Sequence, residues 1–144
     1  MLLLLLILLA SVFYTLYDVF ASKAAGSIDP NFSAVIFNGL GAIIPLLVYT
    51  YFKMSKKGDL IPASRSGIVY SLLAGFSIAI FSILFMKIFE KGELSYAVPV
   101  IYGGTIVLAS IVGIILFKEA ASLLQVLGIV VAAVGIAMIA VAKV

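Results

Sequence analysis

The chain has 144 residues, 65% of them hydrophobic and 10% charged, with a mean hydropathy of +1.36. Soluble domains run at about 45–50% apolar and about 25% charged, and a chain this short hides only part of so much apolar surface in one core, so a soluble domain is excluded and a bilayer is required. Cys and His are absent and the net charge is +3, which excludes disulfides, thiolate or imidazole metal sites and Cys or His catalysis.

No cofactor and no resident metal are expected. The nine Lys and Arg are scattered between apolar runs, which reads as topology signal and anionic-lipid contact, with no concentrated patch for nucleic acid.

A hydrocarbon core of about 30 Å needs about 20 apolar residues per helix, and five runs qualify. The predicted helices cover roughly 2–22, 31–52, 66–88, 95–117 and 121–142. Each closes its own backbone hydrogen bonds, as lipid demands. The connections are short, so the expectation is an all-α membrane protein, a bundle of five transmembrane helices forming one domain over residues 1–144. The opening MLLLLLILLA lacks a charged leader and no A-x-A site follows it, so it reads as a retained first span.

The first span carries Ser11, Tyr14, Thr15, Asp18 and Ser22 three to four residues apart, hence on one helical face. Polar groups at this depth face a bundle interior or a wet cavity. Asp18 is either an interfacial carboxylate satisfied by Lys23 or helix ends, or a cavity carboxylate that binds a cation or proton. The second span holds Asn38 and Pro45; the third holds Tyr70 and Ser77 and closes on Lys87. Lys87 lies towards the same membrane face as Asp18, so the two either pair or the lysine snorkels to the surface. In the fourth span, Pro99 with Gly103 and Gly104 marks the most deformable stretch. Thr105, Ala109 and Gly113 form a small-residue ridge there, and Gly128, Ala132 and Gly135 a groove on the fifth span. Both suit close packing of helices in lipid, within the chain or against a second one.

Five spans put the termini on opposite faces. Lys53, Lys56, Lys57, Arg65 and Lys118 fall on the N-terminal side; Lys23, Lys87, Lys91 and Lys143 fall on the other. Five against four favours a cytoplasmic N-terminus in a cell (inner or plasma) membrane, but so thin a bias also allows dual insertion.

The order of features resembles the drug/metabolite transporter superfamily, in particular its EamA-like repeat. In SYAVPVIYGGTIVLASIVGIILFKEAASLLQVLGIVVAAVGIAMI, an entry with Pro99 is followed by Tyr102-Gly103. The apolar stretch ends in Phe117-Lys118-Glu119, at the family's usual Gly-Glu corner, before Leu127-Gly128-Ile129 and Val134-Gly135-Ile136. The N-terminal half fits more loosely, through Lys23 and the pre-helix Pro30. The resemblance implies a transporter half, since family members usually carry two inverted five-helix repeats around a central cavity. One repeat then implies an antiparallel homodimer, or pairing with a homologous half, moving small metabolites or drug-like solutes by alternating access.

Its cavity residues are expected to be Tyr14, Asp18, Asn38, Tyr70, Ser77, Pro99 and Tyr102, with Asp18 as the coupling group. Two departures stand out. The first-helix glutamate of the distantly similar small multidrug resistance proteins falls near Thr15 here, one turn before Asp18, and Lys87 is charged where the EamA-like pattern has a small residue. The alternative is a non-catalytic membrane subunit, or half of a heterodimeric flippase for a lipid-linked carrier. An enzyme is not expected: an intramembrane aspartyl protease needs two carboxylates and only Asp18 lies in a span, Ser has no His to activate it, and no P-loop is present.

Overall fold

The computed structural model describes residues 2–55 and 63–142. Five helices follow one another: α1 (Leu2–Ala24), α2 (Pro30–Ser55), α3 (Arg65–Lys91), α4 (Leu94–Leu116) and α5 (Leu123–Val141). Among the described residues the only β-type pairing is an isolated bridge between Ala25 and Ile28. All five helices are long and apolar enough to cross a membrane. Even α5, with 19 residues, spans about 28 Å at 1.5 Å per residue. The chain is an all-α, multi-pass membrane protein. Lys56, Lys57 and Lys143 lie outside the described residues.

The helix ends follow from local chemistry. After α1, Gly26 takes φ +75°, a left-handed turn that glycine enters without a Cβ penalty. Asp29 then caps α2, its Oδ1 accepting from the backbone N–H of Asn31 (2.9 Å) and Phe32 (3.0 Å). Pro30 occupies the first helical position, where its missing N–H costs nothing. Ser64 Oγ accepts from Gly67 N at the start of α3, and Ser122 Oγ accepts from Gln125 N at the start of α5. Because Ser122 is the cap, α5 starts two residues after the expected 121. Nothing breaks α3 until Gly92, so it continues three residues past 88 and takes Lys87 inside it.

The chain divides into two compact units, Met1–Val19 with Gly92–Val144, and Phe20–Lys91. In the first, α4 packs against α5. Gly103 of α4 is buried, and a Cβ there would overlap Cγ1 and Cδ1 of Ile136 on α5. Gly113 is buried under the corner that follows α4: a Cβ would meet Glu119 Oε2 at 2.7 Å, Glu119 N donates to Gly113 O at 3.1 Å, and Lys118 between them takes φ +53°. In the second unit α2 packs against α3. Phe85 and Met86 are fully buried, with Phe85 edge-on to Phe89 at 4.4 Å between centroids and Met86 Sδ accepting from Ser33 Oγ at 3.6 Å.

Most large apolar side chains point away from these contacts, among them Leu3, Leu47, Leu72, Leu108 and Val131, each more than 60% exposed. No aqueous surface tolerates that much apolar area; a bilayer covers it.

A candidate carboxylate site between the first and fourth helices

Asp18 lies six residues before the end of α1, and Tyr102 eight residues after the start of α4. Two crossings, α2 and α3, separate those two ends, so both reach the same membrane face. At 1.5 Å per residue the groups sit about 9 Å and about 12 Å along their helices from it. They meet: Tyr102 Oη donates to Asp18 Oδ1 at 2.8 Å. Asp18 is 3% exposed.

Around this bond the rings of Tyr14 and Tyr102 pack edge to face at 5.1 Å, and Tyr17 lies 5.8 Å from Tyr14. Such offsets suit the ring quadrupoles. Beside them runs a groove of about 440 Å³. On α1 it is lined by Ile7, Ala10, Ser11, Tyr14, Thr15 and Asp18, and on α4 by Val98 and Tyr102. The polar stripe of the first span is therefore one wall of this groove, apart from Ser22.

Ser11 Oγ donates to Ile7 O and Thr15 Oγ1 to Ser11 O, both at 2.9 Å. With their protons directed along the helix, both hydroxyls keep lone pairs as acceptors. Asp18 Oδ1 has Tyr102 as its donor, and no buried side-chain oxygen or nitrogen among the described residues lacks a partner. The wall thus presents a carboxylate and two hydroxyl acceptors in an apolar setting, a lining suited to a proton, a cation or a solute rich in donors. No group of three His, Cys, Asp or Glu able to hold a metal occurs among the described residues.

The remaining expected site residues lie elsewhere. Pro99 is on α4 within the same unit as Asp18 and leaves Ser95 O without its helical donor. Asn38 belongs to the other unit and bonds across to α3, its Nδ2 donating to Ser82 Oγ at 3.0 Å and to Ala34 O at 2.8 Å. It also borders a second groove of about 460 Å³ between α2 and α3. Tyr70 is 71% exposed on α3. Ser77 is exposed and donates to its own helix at Leu73 O. Lys87 is exposed on α3.

Of the small-residue positions, Gly113 is buried, Ala132 is half-buried, and Thr105, Ala109, Gly128 and Gly135 are exposed. A Cβ at Gly128 or Gly135 would meet nothing within 4 Å. Close approach inside the chain runs instead through Gly103.

Two features escaped the sequence reading. Ser82, the hydroxyl partner of Asn38, looked like any serine in an apolar run. The pairing of Asp18 with Tyr102 was not named, although their matched depths from one face were available.

A model of the EamA-like transporter family matches residues 1–141. An uncharacterized protein from Methanocaldococcus jannaschii is 27% identical over 136 residues, covering 94% of this chain and 94% of its own. No solved structure matches. With the family model spanning nearly every residue and five helices able to cross a bilayer, the chain belongs to the EamA-like transporter family.

Proposed function

We propose that the protein is a secondary transporter of small metabolites or drug-like solutes, working by alternating access as an antiparallel homodimer, with Asp18 as the coupling carboxylate. The observation that carries this reading is a 3%-exposed aspartate inside a spanning helix, held by Tyr102 at the edge of a groove. A carboxylate at such depth costs several kcal/mol on most scales, and in membrane proteins such groups mark ion or substrate pathways.

In this scheme Asp18 alternates between a proton or cation and the substrate. Tyr102 orients it, and the acceptors of Ser11 and Thr15 bind the solute's donors. The open side of the groove and the uncovered glycines of α5 receive the second copy. Inverted pairing of equal halves places the site at a shared midplane and lets one half rock against the other.

The test uses protein reconstituted into liposomes under an imposed pH gradient. Gradient-driven uptake of a solute panel is expected with the native chain and is expected to vanish in Asp18→Asn, with the variant still monodisperse and helical. Uptake and pH dependence unchanged in Asp18→Asn would remove the coupling role. Activity that appears only when a second, homologous chain is added would replace the homodimer by a heterodimer.

A further inference from the structure

The geometry points to Gly103 as a positioning residue: its missing side chain, filled by Ile136 of α5, sets the placement of α4 at which the Tyr102 hydroxyl reaches Asp18. This rests on the reading of Asp18 and Tyr102 as the working site.

Tyr102 and Gly103 are consecutive, so their Cα–Cβ directions differ by about 100° around α4. Tyr102 uses its direction to meet Asp18 and Tyr14 on α1. Gly103 is buried against α5, where a Cβ would overlap both Cγ1 and Cδ1 of Ile136. Ile136 has little means of yielding, because a β-branched side chain in a helix is confined largely to one χ1 rotamer. A methyl group at position 103 must therefore move α4 relative to α5, by on the order of 1 Å to regain a normal carbon–carbon separation of about 3.5–4.0 Å.

The bond at risk is short. The Tyr102 to Asp18 distance is 2.8 Å, and at about 3.6 Å a hydrogen bond is lost. A shift of about 1 Å across the Tyr102 direction lengthens that bond to about 3.0 Å and tilts it by about 20°, which weakens it while leaving both side chains in place. No other glycine of the spanning helices is closed off by a neighbouring helix: a Cβ at Gly67 would meet Ser64 Oγ and one at Gly113 the Glu119 carboxylate, both in adjoining turns. A Cβ at Gly39, Gly41, Gly75, Gly104, Gly128 or Gly135 meets nothing within 4 Å.

Gly103→Ala, Ile136→Ala and the double variant Gly103→Ala/Ile136→Ala test this with ring-labelled tyrosine and isotope-edited infrared spectra of purified protein. The Tyr102 band is the one absent from Tyr102→Phe, and its unbonded position is the one it takes in Asp18→Ala. Gly103→Ala is expected to move the band towards the unbonded position, Ile136→Ala to leave it, and the double variant to restore it. A native band in Gly103→Ala overturns the proposal. So does a displaced band in the double variant, or its failure to fold, because removing Ile136 then does not relieve the clash. If Gly103→Ala alone does not fold, a native band in the double variant carries the result.

The spectra need no substrate, so they stand whether or not the transporter reading survives. Where native protein transports a solute, Gly103→Ala is expected to lose about tenfold or more of that rate, as small misplacements at working sites do, and the double variant to recover it. Normal transport by a Gly103→Ala protein with a displaced band removes the functional role of the placement and leaves the transporter reading intact.

Discussion

A carboxylate inside a spanning helix costs up to about 2.5–3.5 kcal/mol on the most lenient scale, the figure for the helix centre, so Asp18, about 9 Å from the end of α1, needs compensation close at hand. Tyr102 supplies it with a bond of 2.8 Å, and hydrogen bonds to charged groups contribute about 1.5–3 kcal/mol. Tyr102→Phe keeps the ring, and with it the edge contact to Tyr14, and removes only the donor. Its expected cost is about 1.5–3 kcal/mol, read as a lower unfolding midpoint in detergent. A double-mutant cycle with Asp18→Asn is expected to be clearly non-additive, since the two groups share one bond; additive losses would show that they do not support each other. Sequence periodicity alone placed Asp18 on a shared face with Ser11, Tyr14 and Thr15. It did not supply the partner, because the lysine nearest in sequence, Lys23, was the more visible candidate than a tyrosine 84 residues away.

At the scale of the helix, α4 divides its functions along its length. Pro99 withdraws one backbone bond, Tyr102 faces α1, Gly103 faces α5, and Gly113 lies under the carboxylate of Glu119. Reading Pro99 with Gly103 as one deformable stretch joins two different roles, since Gly103 serves a close contact. The distinction was not legible in the sequence: a glycine that admits a neighbour and a glycine that faces lipid look the same. The corner after α4 was more legible. Its backbone needs a left-handed residue, and here Lys118 adopts φ +53° where the EamA-like resemblance implies a glycine. For a residue with a Cβ this costs roughly 1–2 kcal/mol. Lys118→Gly is therefore expected to stabilise the folded chain by about 1 kcal/mol, measured as a higher midpoint in thermal or denaturant unfolding.

For the molecule as a whole, apolar length was enough to find all five helices, because in lipid every spanning segment must satisfy its backbone internally. Which face of each helix turns inward was much less legible, since the spans are apolar on every side. Tyr70 and Ser77, expected in a cavity, are both exposed on α3 of the single chain. Orientation is the other property of the whole chain, and the absence of cysteine makes it directly measurable. Gly58→Cys, in the basic connection and outside the described residues, is expected to react with an impermeant maleimide from both sides of the membrane in comparable amounts. Labelling from the cytoplasmic side alone rules out an inverted pair of identical chains.

Lys118 joins the last two scales. It occupies a turn that its backbone resists, and it is also one of the five basic residues on the N-terminal side against four on the other. Glycine would relax the turn and leave the faces level at four each. Local comfort and a vote on orientation thus compete at a single residue. A chain engineered for stability at that corner loses, by the same substitution, its one-residue excess of positive charge on the N-terminal side.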